Sequence, residues 1–285
     1  MSATGRSDEP RLGFNMHPRW LRSGPPEAFL LPLRDVGVSI LEFKLDLDAP
    51  GWPETEALID ACRALEFRLS FHAPHKRPYN ITPFRGPERR RIQQRFGPVI
   101  DYAAAVAADQ GPTTLVVHGA KGTEPREALR RDTEEFLSWV ETRAADLHLA
   151  LELRVREPNV TKIGDSKREL LTFVSQSRIP GLGLCWDIGH DARNGATAAP
   201  PGFIERVTHV HVHDLSPRGE DHHPLIYGNA PYRSALQALR QVGYEGPIIL
   251  EVNGHFVGHA AKGEGMTAAD ILGRSFRKIA QAFST

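Results

Sequence analysis

The sequence predicts a single (β/α)8 barrel, the TIM-barrel architecture, over residues 11–285. Three observations support this prediction. Short apolar runs typical of buried strands recur eight times, segments with helical spacing lie between most of them, and no linker or shift in composition divides the chain. Because strands that alternate with helices pair in parallel through right-handed crossovers, eight such units favour a closed barrel over an open doubly wound sheet.

Each predicted strand is a short apolar run rich in β-forming residues. The polar residues 1–10 that precede the first strand are predicted to form a disordered tail. In chain order, the predicted strands are Arg11–Met16, Ser39–Asp46, Arg68–Ala73, Thr114–Gly119, His148–Arg154, Leu182–His190, Val207–Asp214 and Pro247–Val252.

The predicted helices occupy most of the intervals between these strands. In one of them, Ile92, Phe96, Val99 and Ala103 recur at steps of four and three residues, which places them on one apolar face. Such a helix packs through that face. In chain order, the predicted helices are Glu54–Glu66, Pro87–Asp109, Pro125–Leu147, Ser166–Ser177, Tyr232–Val242 and Ala268–Phe283.

The composition excludes several classes of protein. The 35 Lys and Arg residues balance 35 Asp and Glu residues, so the chain as a whole has no attraction for nucleic acid or for an anionic membrane. The two cysteines, Cys62 and Cys185, give no disulfide framework. The N-terminus lacks the apolar core of a signal peptide and no membrane span is present, so a cytoplasmic location is expected. Thirteen histidines are many for a neutral chain, and their positions are informative.

Polar side chains occupy one face of the predicted strands, where a buried parallel strand is usually apolar. In the fifth strand, for example, Leu149 and Leu151 share one face and Glu152 lies on the other. The C-terminal strand ends of such a barrel form the active-site face, so these groups should form a ring at one depth. The predicted ring consists of His72, His118, Glu152, Asp187, His211 and Glu251.

Such a ring requires a compensating positive charge. A divalent metal ion supplies it, and oxygen and imidazole ligands without thiolate suit Mn, Mg, Co, Fe or Zn. The alternative is that the histidines and carboxylates satisfy one another in the core. The repetition of the same position on six strands favours the metal.

These motifs resemble those of the xylose-isomerase-like TIM-barrel superfamily, which includes sugar and sugar-phosphate isomerases and epimerases and also endonuclease IV. The resemblance extends from the first predicted strand to the eighth. The matching segments are Phe71-His72-Ala73-Pro74, Val117-His118-Gly119, Leu151-Glu152, Asp187-Ile188-Gly189-His190, His211-Val212-His213-Asp214, His222-His223-Pro224-Leu225 and Leu250-Glu251.

The isomerase and epimerase branch implies one divalent ion, of Mn, Zn, Mg or Co, held by Glu152, Asp187, His211 and Glu251. Glu152 and Glu251 would also be catalytic: one removes a proton from carbon, the metal stabilises the enediolate, and the other returns a proton. The implied partner is a small sugar or sugar phosphate, in carbohydrate metabolism. The oligomeric state is left open, a homo-oligomer included.

Three further residues are candidates for substrate binding. The resemblance implies that His190 contacts a substrate oxygen, and Arg218 is a looser candidate. Lys121, three residues after His118, can reach the substrate or remain on the surface.

The endonuclease IV branch is the alternative, and it implies up to three ions that hydrolyse a phosphodiester in abasic DNA. Two departures weaken it: Glu220 stands where the family has Asp, and Ile226-Tyr227-Gly228 replaces Gly-Glu-Gly. A barrel that only binds a ligand is a third hypothesis. Under the endonuclease IV hypothesis, the ligands added to Glu152, Asp187, His211 and Glu251 would be His72, His118, His190, Glu220 and His222.

Three segments near the predicted mouth are less specific. The basic stretch Lys76–Arg95 would contact DNA or a sugar phosphate, or would be a solvated loop and helix end. Glu42 and Lys44 face inward and are expected to pair with each other. The glycine-rich stretch Gly254–Gly265 is expected to be a loop that covers the site or is simply mobile.

Overall fold

The computed structural model describes residues 10–21 and 25–285. Within them the strands are β1 (Arg11–Met16), β2 (Val38–Lys44), β3 (Arg68–His72), β4 (Thr113–Val117), β5 (Lys121–Gly122), β6 (Leu147–Glu152), β7 (Thr161–Lys162), β8 (Gly183–Asp187), β9 (Val207–Val212) and β10 (Pro247–Leu250). The α-helices in the same part of the chain are α1 (Pro26–Asp35), α2 (Trp52–Ala64), α3 (Gly86–Gln110), α4 (Arg126–Arg143), α5 (Lys167–Gln176), α6 (Ile188–Arg193), α7 (Tyr232–Gln241), α8 (Gly254–Glu264) and α9 (Ala268–Ser284). Short 3-10 helices lie at Pro18–Leu21 and Ile204–Arg206.

Eight of the strands close into a parallel barrel in the order β1-β10-β9-β8-β6-β4-β3-β2, which confirms the predicted (β/α)8 fold. The short strands β5 and β7 form a separate antiparallel ladder, in which Lys121 lies opposite Lys162. Apart from Pro10, the predicted disordered tail at residues 1–10 lies outside the described residues. Across residues 10–21 and 25–285, no helix is both long and apolar enough to cross a membrane.

The main apolar core lies between the barrel wall and the helices. Helix α3 contributes Ile92, Phe96, Val99 and Ala103, all of them buried, as their spacing predicts. The barrel interior has a separate small apolar cluster, of Val116, Ala150 and Cys185. Buried polar side chains such as Glu42, His209 and His211 also lie in the interior, and they must satisfy one another or a bound ion.

Two segments differ from the sequence-based expectation. The predicted strand Leu182–His190 ends at Asp187, and α6 begins at the next residue because the Asp187 carboxylate accepts a hydrogen bond from the His190 amide at 2.8 Å. The predicted loop Gly254–Gly265 is mostly helix α8. The Asn253 side chain caps its first turn, and Gly265 ends it with a left-handed φ of 64°.

Candidate metal centre

Four side chains from the C-terminal ends of four barrel strands converge inside the mouth. Glu152, Asp187, His211 and Glu251 each offer an oxygen or nitrogen atom, and these atoms lie within 4.8 Å of one another. Strand register places Asp187 beside His211. Three of the four side chains are fully buried or nearly so, and that of Glu251 is 17% exposed. The structure therefore brings together the four predicted metal ligands, called the ligand cluster below.

The oxygen and nitrogen atoms of the ligand cluster lie close together without forming well-aligned hydrogen bonds, an arrangement that suits a shared cation. Oδ2 of Asp187, Nδ1 of His211 and Oε2 of Glu251 are buried and have no partner with hydrogen-bond geometry among the described residues. These atoms nevertheless have close polar neighbours: Nδ1 of His211 lies 3.0 Å from Oε2 of Glu251, and Nδ1 of His190 lies 2.9 Å from Oδ2 of Asp187. Buried polar atoms are normally satisfied, so orphaned donors at this separation indicate a place for an ion. Three carboxylates and one imidazole suit a divalent metal such as Mn, Mg, Co, Fe or Zn.

Electrostatics keep the carboxylates of the ligand cluster ionised. Burial alone would raise the pKa of Glu251, but the imidazoles of His211 and His222 outweigh it and lower that pKa to about 2. Burial likewise opposes ionisation of Glu152, yet neighbouring imidazoles, with His118 first, hold the pKa of Glu152 well below its ordinary value. Metal binding requires deprotonated carboxylates, which this environment provides.

Behind the ligand cluster, Glu42 orients the histidine of the centre. Its carboxylate is fully buried, 3.0 Å from Nε2 of His211 and 2.8 Å from Nε2 of His209. The expected pairing of Glu42 with Lys44 is therefore wrong: the carboxylate points across the barrel interior to β9. This contact leaves Nδ1 of His211 facing the ligand cluster, and a carboxylate behind a ligating histidine is a common feature of metal sites.

A group of histidines surrounds Glu152 on the β3 and β4 side. Nε2 of His72 lies 2.9 Å from Oε2 of Glu152, and Nε2 of His118 lies 2.6 Å from the same oxygen. Burial lowers the pKa of His118 to about 3, so at neutral pH this ring is an uncharged hydrogen-bond donor. Sequence reasoning missed His75, which stacks on His118 with ring centroids 3.9 Å apart. Together His72, His75 and His118 form a second group with metal-binding separations.

A third group lies beside Asp187. Nδ1 of His190, on α6, is 2.9 Å from Oδ2 of Asp187, and Nε2 of His213 is 3.1 Å from Oδ1. His222 stacks on His213 at 4.4 Å, and these three histidines also have metal-binding separations. Sequence reasoning did not select His213, although strand alternation placed it inward. Gly189 makes room for its ring, since a Cβ there would lie 2.0 Å from the imidazole.

Some predicted site residues are not part of these groups. Glu220 is 56% exposed, and it accepts a hydrogen bond from Ser216 rather than joining the histidines. Its neighbour Asp221 is the acid beside His222, with Oδ1 and Nδ1 3.0 Å apart. Arg218 is exposed on the loop after β9. Glu220 and Arg218 do not join the site because the turn after β9 directs both side chains outward, while the adjacent backbone returns His222 to the mouth.

A narrow cleft lies beside the histidines that surround Glu152. It is lined on one side by His75 and His118 and on another by Lys121 and Arg154. The predicted substrate-binding residue Lys121 therefore borders the same opening as the histidines that contact Glu152.

The barrel, with its carboxylates and histidines gathered at the C-terminal strand ends, has the architecture of the TIM-barrel class of proteins. Residues 32–272 match the model of the xylose isomerase-like TIM barrel family, and the chain belongs to that family.

Two curated proteins are similar to parts of the chain. A ketose 3-epimerase of Arthrobacter globiformis is 26% identical over 161 residues, which are 54% of this chain and 54% of that protein. An uncharacterised protein of Methanocaldococcus jannaschii is 30% identical over 96 residues, 31% of this chain and 32% of that protein. The chain thus spans about half or less of the length of these relatives.

Solved structures share the fold over nearly the whole chain. D-allulose 3-epimerase from Methylomonas sp., in complex with D-allulose, superposes with a TM-score of 0.71 and 18% identity, covering 99% of this chain and 100% of that one. AP endonuclease, family 2, from Brucella melitensis gives a TM-score of 0.62 and 19% identity, with 86% and 93% covered. At these identities the similarity concerns the fold.

Proposed function

We propose that this protein is a divalent-metal-dependent sugar or sugar-phosphate isomerase or epimerase that works through an enediolate. The observation that carries the proposal is the convergence of the ligand cluster, in which buried atoms of Asp187, His211 and Glu251 lack partners with hydrogen-bond geometry within the described residues. Partial similarity to a ketose 3-epimerase supports the substrate class.

The two glutamates of the ligand cluster are suited to move protons. A divalent ion held there would polarise the substrate carbonyl and its neighbouring hydroxyl and stabilise the enediolate. Glu152 and Glu251 stand on strands separated by two others in the barrel, so they approach a substrate from different sides. As a carboxylate, one glutamate would remove the proton from carbon, while the other, having taken up a proton from solvent, would deliver it to the opposite face; exchange with solvent would then restore both groups. His190, beside Asp187, is placed to contact a substrate oxygen.

The test combines metal analysis with kinetics on ketoses and ketose phosphates. We expect about one tightly bound divalent ion per chain and exchange of the substrate carbon-bound hydrogen with deuterium from the solvent. Glu152→Gln and Glu251→Gln should each lower kcat about a thousandfold, since general acid–base groups contribute on that order. Glu205→Gln, which changes an exposed glutamate outside the mouth, is the matched control. Full activity of either cluster variant would contradict the enediolate mechanism.

A second candidate function, hydrolysis of a phosphodiester in abasic DNA, is favoured by one observation. The His72, His75 and His118 group and the His190, His213 and His222 group flank the ligand cluster, as a multinuclear centre would require. Close to three ions per chain, together with cleavage of abasic DNA, would support this function over the first.

A further inference from the structure

Three cations lie together at one side of the barrel mouth, and we call them the cationic rim: Lys121, Arg154 and Lys162. Lys121 and Lys162 are direct cross-strand partners in the β5–β7 ladder. Arg154 follows Glu152 by two residues, just beyond the C-terminal end of β6. Its side chain is only 5% exposed.

The protein itself compensates little of this charge. Within the described residues, Arg154 makes no ion pair, and its guanidinium donates to the Gly119 carbonyl at 3.2 Å. The nearby carboxylate of Glu152 is already engaged by imidazoles. Lys162 pairs with Glu157 and donates to the Val155 carbonyl.

Lys121 makes no ion pair in the described part of the chain. Burial, followed by the positive charge of Arg154, lowers the pKa of its ammonium group.

This arrangement is unfavourable for the protein alone. Like charges directly opposite each other on paired strands are destabilising. The buried guanidinium of Arg154, which makes no ion pair within the described residues, adds a desolvation cost. The opposition of Lys121 and Lys162 is not needed to close the barrel, because β5 and β7 are not part of its wall. Local charges that oppose stability in this way are expected where a ligand supplies the missing countercharge.

The cationic rim faces the site already described. Lys121 and Arg154 line a narrow cleft whose other side includes His118. Nε2 of His118 is 2.6 Å from the Glu152 carboxylate, so one imidazole connects the wall of this cleft with the ligand cluster. The cations and the glutamates therefore lie on the two sides of the same histidine.

We infer that the cationic rim binds the phosphate monoester of the substrate, so that the enzyme acts on a sugar phosphate in preference to the free sugar. This inference rests on the proposed isomerase or epimerase function. A phosphate monoester carries close to two negative charges. These match the net positive charge of about two that remains when the single carboxylate of Glu157 is set against the three cations. The guanidinium of Arg154 offers a fork of N–H donors suited to two phosphate oxygens. A pentose or hexose chain then spans from the phosphate to the ligand cluster.

The first test measures binding of inorganic phosphate to the full chain by calorimetry. We expect Lys121→Gln to weaken phosphate binding about tenfold. Arg154→Lys, which keeps the charge and loses the fork, should weaken it by a similar factor. Lys262→Gln removes an exposed lysine on α8 and should bind phosphate as the unmodified protein does. Equal phosphate binding by all four proteins would overturn the inference.

The second test compares a ketose phosphate with the same ketose lacking the phosphate. We expect kcat/KM to favour the phosphorylated substrate about a hundredfold, inorganic phosphate to compete with it, and Lys121→Gln to reduce this preference about tenfold through KM.

Two outcomes separate the inference from the proposed function. Equal turnover of both ketoses would overturn the inference while the proposed function stands. Lys121-dependent phosphate binding without turnover of any ketose phosphate would overturn both the proposed function and the substrate assignment, and would leave the cationic rim as a phosphate site only.

Discussion

The ligand cluster and the cationic rim meet at the end of strand β6, where Glu152 belongs to one and Arg154, two residues later, belongs to the other, but they differ in how their charge is compensated. The carboxylates of the ligand cluster are surrounded by imidazoles, such as His118 beside Glu152 and His213 beside Asp187. The cationic rim has the single pairing of Lys162 with Glu157. Histidine can adjust its protonation to its neighbours, whereas lysine and arginine remain charged near neutral pH. The ligand cluster is therefore organised by the protein itself, and the cationic rim depends more on what it binds.

The largest expected effect comes from removing one predicted metal ligand, which should weaken metal binding and leave phosphate binding unchanged. In Asp187→Asn, one anionic oxygen of the ligand cluster is lost, and we expect the affinity for a divalent ion to fall more than about a hundredfold. This exceeds the loss typical for residues that only support a ligand. Phosphate binding at the cationic rim should persist. Separate calorimetric titrations with the metal ion and with phosphate measure the two affinities, and Asp146→Asn, at an exposed position, is the control. Unchanged metal affinity would show that Asp187 is not a ligand.

A smaller effect is expected from the residue behind the ligand cluster. Glu42→Gln keeps the shape of the side chain but weakens its hold on His211, and we expect a loss of about 10- to 100-fold in metal affinity. Phosphate affinity should change little, because Glu42 lies deep in the barrel and away from the cationic rim. A competition assay with a fluorescent chelator gives the metal affinity, and Glu42→Asp tests whether a repositioned carboxylate restores part of it. A Glu42→Gln protein with full metal affinity would rule out a role for Glu42 in positioning His211.

The fold and the ligand cluster could be predicted because both depend on short-range patterns. Alternation along a strand identifies which side chains face inward, and the polarity of a parallel barrel places Glu152, Asp187 and His211 at the same end. These patterns required no knowledge of which strands face each other across the interior. The ring of inward polar groups indicated a metal ion, and the family resemblance then supplied the four-residue ligand set; both stay proposals.

What the sequence did not predict depends on contacts between distant residues or on very short elements. Glu42 meets His209 across 167 residues of chain, and alternation alone cannot select that partner over the nearby Lys44. The start of α6 depends on a capping contact made by Asp187, a candidate ligand, inside a run that otherwise has strand character. The β5 and β7 strands have two residues each, too few for any periodicity, so the opposition of Lys121 and Lys162 emerges only from the fold.

The smallest expected effect has opposite signs for stability and for binding, which makes it the sharpest test of the contrast. Because Lys121 lies directly opposite Lys162, Lys121→Gln should raise the free energy of unfolding by about 0.5 kcal/mol in phosphate-free buffer, within the range for cross-strand pairs. The same change should weaken phosphate binding, so added phosphate should stabilise the unmodified protein more than the variant. Urea unfolding with and without phosphate measures both quantities, with Lys262→Gln as the control. If Lys121→Gln lowers stability in phosphate-free buffer, Lys121 is part of the structural framework, and the repulsion across the β5–β7 ladder is compensated within the protein.

If Lys121→Gln raises stability while phosphate binding weakens, the positive charge of Lys121 destabilises the fold and serves the ligand instead, as expected of functional residues.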